Sequence, residues 1–278
     1  MPALALLLLL GSAVAPPRYA AFGRYRTWAV VNLAKGTSEW LPLPSNIRPR
    51  ELTISIDGRV VVFTGYAAEA GTYLLYSWDK DPAHDPHRIG DTRGYHANPA
   101  IDPNGDWVYF AHNPNAEGMP MSHAARAYAQ IYRVHLDGSG LQPLTDEQGC
   151  HFAPAPNKQG EVLFVHTQCH GFERSLVRKA LPAGAESILK LVGDATELTL
   201  SDDGRRVLYA VTKSRYVAIF ELNLETGTST LVDQGTGALG VGPRFGDARQ
   251  VYYMLNDSVW RSKAGRKQRL ISMQEGPR

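Results

Sequence analysis

The stretch Tyr95–Phe110, YHANPAIDPNGDWVYF, decides the fold, because weaker copies of it return on either side. It holds an extended lead with Pro99, a turn at Asp102-Pro103-Asn104-Gly105 and a strand, Trp107-Val108-Tyr109-Phe110. That order reads as a β-hairpin. Aligned on the turn glycine, copies stand at Ser55-Ile56-Asp57-Gly58, Asn157-Lys158-Gln159-Gly160 and Ser201-Asp202-Asp203-Gly204, with a degenerate fifth at Gly246-Asp247-Ala248. Counted from Gly58 through Gly105, Gly160 and Gly204 to Ala248, the intervals are 47, 55, 44 and 44 residues. Apolar strands rich in β-branched and aromatic residues follow each turn, as in Val60–Phe63, Val162–Val165, Val207–Ala210 and Val251–Met254. A repeat of about 40 to 50 residues with this content is one four-stranded propeller blade.

The outer half of the repeat is also legible. Ile131–Leu136 alternates in period two, turns at Asp137-Gly138-Ser139-Gly140 and resumes at Leu141–Leu144; Ile219–Leu224 with Thr226-Gly227 does the same. Trp28–Leu41 copies that half, since Val31-Asn32-Leu33 and Lys35-Gly36 line up with Leu222-Asn223-Leu224 and Thr226-Gly227. An incomplete blade therefore opens the repeat array, and Ser272–Arg278 is expected to complete it, because propellers avoid open sheet edges by closing the ring. The expected fold is all-β, a single propeller of six four-stranded blades, one of them composite from both chain ends; five blades is the alternative.

Composition narrows the function classes. The 278 residues carry 29 Lys plus Arg against 27 Asp plus Glu, a formal net charge of +2, so there is no electrostatic case for a nucleic-acid or membrane-surface partner. The basic cluster Arg261, Lys263, Arg266, Lys267 and Arg269 reads as a solvated edge strand. Residues 1–15 resemble an export signal: the apolar run Leu4–Leu10 ends in small residues, Gly11-Ser12-Ala13-Val14-Ala15, and is too short to span a bilayer. The reading is an exported monomer, periplasmic or secreted, with the propeller over 16–278 and no membrane span in the mature chain.

The turn figure, an extended lead, then proline, then (S/D)xxG, then a strand, resembles the TolB-type propeller repeat over nearly the whole mature chain. Its best copies are Pro99–Phe110 and Leu198–Tyr209. The resemblance implies an exported bacterial propeller. Members of that family act as interaction scaffolds, as gating domains attached to serine peptidases, and occasionally as sugar-processing enzymes with a metal at the propeller mouth. No GxSxG nucleophile elbow occurs in this sequence, which excludes the peptidase class.

Function is then sought in residues that a blade does not need. His96 and His151 occupy the same repeat position, three residues before Pro99 and Pro154, which places them at the mouth where inner strands begin. Pairing Asn157 with Gly160 sets His151 opposite His166 and Cys150 opposite Thr167, with Gln168, Cys169 and His170 close behind. Two cysteines in an exported chain favour a Cys150–Cys169 disulfide closing a loop of about 20 residues, worth on the order of 3 kcal/mol. His112, His123 and Arg126 belong to the long connection His112–Gln130, which is expected to cover the same mouth and to form a short helix from Ser122. Tyr95, Arg93 and Arg174 complete the candidate partner surface.

Three functions fit. The favoured one is a binding or scaffold module that recognises a protein or glycan across one face, and the enzyme class is the weaker choice. An alternative is a lyase or hydrolase acting on an acidic sugar, with a divalent transition metal held by His96, His151 and His166 and by Gln168 or His170. In that reading Arg93, Arg126 and Arg174 bind the substrate carboxylate. The third is a fragment of a larger propeller enzyme, since Gly276-Pro277-Arg278 copies Gly242-Pro243-Arg244.

Overall fold

The computed structural model describes residues 18–24, 27–90, 93–116, 128–145, 149–168, 174–181, 184–193, 195–213, 216–236, 242–247 and 249–275. Among these, six antiparallel sheets follow one another in chain order as the blades of a β-propeller. Blade 1 holds β1 (Tyr19–Arg24), β2 (Thr27–Asn32) and β3 (Thr37–Trp40). Blade 2 holds β4 (Pro49–Ile54), β5 (Val61–Ala67), β6 (Thr72–Trp78) and β7 (His87–Arg88), and blade 3 holds β8 (Tyr95–Ile101), β9 (Trp107–Asn113), β10 (Gln130–His135) and β11 (Gln142–Pro143). In blade 4 come β12 (Cys150–Pro156), β13 (Glu161–Thr167), β14 (Arg174–Ala180) and β15 (Glu186–Leu191). Blade 5 is β16 (Ala195–Leu200), β17 (Arg206–Lys213), β18 (Tyr216–Asn223) and β19 (Ser229–Thr236), and blade 6 is β20 (Arg244–Phe245), β21 (Gln250–Leu255), β22 (Ser258–Lys263) and β23 (Arg266–Ser272).

The core lies between blades. Side chains alternate across a strand, so each inner strand serves two interfaces. Val61 and Phe63 of β5 pack with Trp28 and Val30 of blade 1, while Val62 packs with Val108 and Phe110 of blade 3. Equivalent clusters join blades 3 and 4, 4 and 5, and 5 and 6. Burial on both faces is why the second strands read as unbroken apolar runs.

The turn geometry explains the repeat glycines. Gly58, Gly105, Gly160 and Gly204 all have φ between 69° and 82°, a left-handed conformation that costs other residues about 1–2 kcal/mol. Blade 6 takes that position with Arg249, φ 61°, which is why its copy looked degenerate.

Closure differs from expectation. Ser272 ends β23, paired with Ser258, and Met273–Glu275 form a 3-10 turn, so the anticipated return of Ser272–Arg278 to blade 1 is not made by the described residues; Gly276–Arg278 lie outside them. Blades 6 and 1 instead meet through side chains. Ala20, Phe22, Val31 and Leu33 pack against Tyr252, Met254 and Val259, and the Tyr252 hydroxyl lies 2.9 Å from the Leu33 carbonyl oxygen and 2.7 Å from Gln250 Oε1. Among the described residues no helix is long and apolar enough to cross a membrane.

Candidate functional site

Inner strands begin, and second strands end, at one mouth of the ring. There His96 stands directly opposite His112, and His151 directly opposite His166. The second pairing is the one expected, reached by another route. Asn157 bonds across the turn to Glu161 rather than Gly160, and a bulge between Phe152 and Ala155 returns the register by one residue. At the same register blade 2 has Pro49 and Gly65, and blade 5 has Ala195 and Val211. The paired imidazoles belong to blades 3 and 4.

The two pairs do not merge. His112 shares the face of Phe110, which packs on Val62 and Leu75 of blade 2; His166 shares the face of Phe164, which packs on Tyr109 and Ile131 of blade 3. One sheet therefore separates them, and facing sheets stand about 10 Å apart. The pairs themselves are close, with ring centroids 4.6 Å apart for His96 and His112, and His166 Nδ1 2.9 Å from His151 Nε2. Among the described residues, no three His, Cys, Asp or Glu side chains gather as a metal-binding group. The expected trio of His96, His151 and His166 is thus split between two interfaces, and His170 lies outside the described residues.

Burial sets the electrostatics. His96 is 1% exposed, and among the described residues neither ring nitrogen has a partner at full hydrogen-bond geometry. Burial, and after it His112, hold its pKa well below the ordinary value, outweighing an opposing influence of the Arg93 backbone. His151 is pushed down to about 4, first by burial and then by His166. Both rings are neutral at pH 7. His112 is buried beneath Phe110 and Tyr132, and Tyr95 is buried as well, so these two support the mouth from below instead of forming its open surface.

Sequence reasoning missed what Tyr95 supports. Arg50 Nη1 donates to Tyr95 Oη at 2.6 Å, and the guanidinium lies 4.9 Å from the Tyr73 ring centre and 5.8 Å from that of Tyr95. Tyr66 meets Tyr73 edge-on at 5.5 Å, so a ladder of Tyr95, Arg50, Tyr73 and Tyr66 climbs from buried to exposed. The available signal was two tyrosines flanking the turn between β5 and β6. Arg174 lies over Phe152 at 5.0 Å and donates to the Ala195 carbonyl at 2.5 Å, which commits part of its fork to the next blade. Arg93 sits just before β8 and Gln168 just after β13, the latter exposed.

Exposed aromatics of this mouth stand at or beside the connections between second and third strands. Tyr66 is 49% exposed, Tyr128 61% and Tyr216 41%. His123 and Arg126, and the helix expected from Ser122, lie outside the described residues, although Tyr128 closes that connection with φ 63°. Cys150 is in a disulfide, and its sulfur accepts the Tyr128 N–H at 3.2 Å. Cys169, the one other cysteine of the sequence, lies outside the described residues.

No family model matches the chain. The uncharacterized protein Atu1656 of Agrobacterium fabrum is 28% identical over 120 residues, which is 43% of this chain and 36% of that protein. The chain thus matches little more than a third of that relative. Among solved structures, TolB from Acinetobacter baumannii superposes with a TM-score of 0.63 at 15% identity, over 91% of this chain and 61% of TolB. A chain of a nidogen/laminin complex gives 0.66 at 12% identity, over 93% and 95%. Oligogalacturonate lyase in complex with manganese gives 0.55 at 13% identity, over 82% and 68%. The fold is that of a TolB-like β-propeller.

Proposed function

We propose that this chain is an exported propeller scaffold that binds a protein or glycan partner across the mouth carrying Tyr66, Tyr128 and Tyr216. The observation that carries the reading is the placement of these exposed rings where the second and third strands of three blades meet: Tyr66 near the end of β5, Tyr128 just before β10 and Tyr216 at the start of β18. Tyrosine offers a large rigid contact at low entropic cost and keeps a polar tip, the side chain favoured in recognition surfaces. Beneath the rings, the Arg50 stack and the buried histidine pairs hold the platform in place. The leader-like residues 1–15 and the disulfide at Cys150, which we assign to Cys169, support export.

Photo-crosslinking from Tyr128 and Tyr216, replaced by a photoreactive phenylalanine analogue, against a glycan array and a periplasmic extract tests this. Adducts are expected from both mouth positions and not from Ile188, a still more exposed residue on an outer strand. Equal labelling from Ile188 overturns the reading. A second reading, the metal-dependent lyase or hydrolase, draws on the 2.9 Å approach of His166 to His151. The described donors fall short of three, so no step is routed through a metal here. Metal analysis of the purified protein separates the two readings: a stoichiometric transition metal lost in a His151→Ala, His166→Ala double variant favours the enzyme.

A further inference from the structure

Blade 6 concentrates positive charge. Residues 242–275 carry seven Lys plus Arg and three Asp plus Glu, a formal net charge of +4, whereas the whole chain stands at +2, so the rest of the chain is net negative. The cations gather on the last hairpin. No acidic residue occurs between Asp257 and Glu275, while β22 carries Arg261 and Lys263 and β23 carries Arg266, Lys267 and Arg269. Lys263, the turn residues Ala264 and Gly265, and Arg266–Arg269 are all exposed.

Register sorts these side chains by face. Lys263 stands directly opposite Arg266, and Arg261 opposite Gln268. Val259, on the same alternation, packs with Phe22 and Val31, so this face turns towards blade 1. There the Arg261 guanidinium bonds to Gln268 and lies against Gly36, beside the exposed Lys35 of the turn between β2 and β3. The other face carries Lys267, paired with Asp233 of blade 5, and Arg269, opposite Trp260. Among the described residues the side chains of Lys35, Lys263, Arg266 and Arg269 have no acidic partner.

Charge along an outer strand blocks edge-to-edge aggregation, and β23 fits that use. Arg261 and Lys263 do not, because β22 is paired on both sides. Like charges directly across a sheet destabilise it, yet Lys263 faces Arg266. An anion laid beside them relieves that repulsion.

We propose that the β22–β23 hairpin is a docking surface for an acidic polypeptide segment in extended conformation. Alternate residues of an extended chain stand about 7 Å apart, which is also the spacing of Arg261 and Lys263 along β22. A segment laid along β23 presents successive carboxylates to both faces, where Arg266 and Arg269 stand, and takes main-chain hydrogen bonds from an edge whose residues are exposed. The turn of this hairpin lies at the end of the ring away from the tyrosines, so this partner and a mouth partner are separate events.

The test titrates the peptide EEVEEVE into the purified full chain by calorimetry, with QQVQQVQ as the uncharged control, and maps the amides by NMR. One-to-one binding at least tenfold tighter than the control, with shifts concentrated on β22 and β23, is expected. The double variant Lys263→Glu, Arg269→Glu should weaken it at least tenfold without lowering the melting temperature, since Glu at 263 meets Arg266. Lys158→Glu, which reverses an exposed cation of blade 4, should leave binding unchanged. Absence of binding or equal affinity for the two peptides overturns the proposal. An equal loss in Lys158→Glu overturns it too, by showing attraction to net charge alone. A polyuronate of matching charge that binds more tightly and displaces the peptide from β23 overturns it in favour of a glycan.

Discussion

His151 is held neutral at a cost that pH reveals. Burial and His166 lower its pKa from 6.5 to about 4. The unfolded chain therefore binds more protons than the folded one between those values, so the stability is full above about pH 6.5 and is lost as pH falls through about 4. The loss is on the order of 2–3 kcal/mol. In His151→Gln, denaturant melts at pH 7, 6, 5 and 4 should show a flatter dependence across this window, whatever the variant loses at pH 7; an unchanged slope places the acid sensitivity elsewhere. That the ring faces His166 was legible, because a hairpin register can be counted. That the ring is closed off was not, because its cover comes from blade 3, and a repeat reports positions within a blade. Arg50 escaped for the same reason: its stack joins Tyr73 of its own blade to Tyr95 of the next.

At the scale of single hairpins, the chain carries left-handed residues where a better choice exists. Arg249 occupies the place Gly160 fills in blade 4, with φ 61°, and Ala264 precedes Gly265 in the two-residue turn between β22 and β23 with φ 50°. Both are exposed, so relief of strain is opposed by little lost packing. Arg249→Gly and Ala264→Asn should each stabilise the protein by about 0.5–1 kcal/mol, the latter by giving the Asn-Gly pair that such turns prefer. Thermal melts of the two variants and of their combination check this, with near-additive shifts expected because the sites are independent. The hairpins themselves were readable from turn chemistry and strand composition. Their detailed register was not, since the four-residue turn of blade 4 and the bulge after Phe152 cancel, and two local deviations that cancel leave no trace in spacing.

Across the whole molecule, one seam differs from the rest. Between blades 6 and 1 the described contacts are side-chain packing, the Tyr252 hydroxyl on the Leu33 carbonyl and the Arg18–Asp247 ion pair. Tyr252→Phe should cost about 1–2 kcal/mol and raise the unfolding rate. Tyr209→Phe, which removes a hydroxyl bonded to Ser229 within blade 5, should cost less; equal costs would mean the seam is no weaker than a blade interior. Sequence periodicity revealed the partial first blade but not its manner of closure, because side-chain packing between chain ends has no period. The Arg18 position carries a last consequence. Its guanidinium reaches Asp202 at 3.0 Å and Asp247 at 3.7 Å, and Tyr19 N–H bonds to Ile56, all on hairpin turns at the end of the ring away from the tyrosines. That one side chain thus ties the turns of blades 5 and 6 to blade 1, so Arg18→Ala loosens three blades at that end and leaves the tyrosine end untouched.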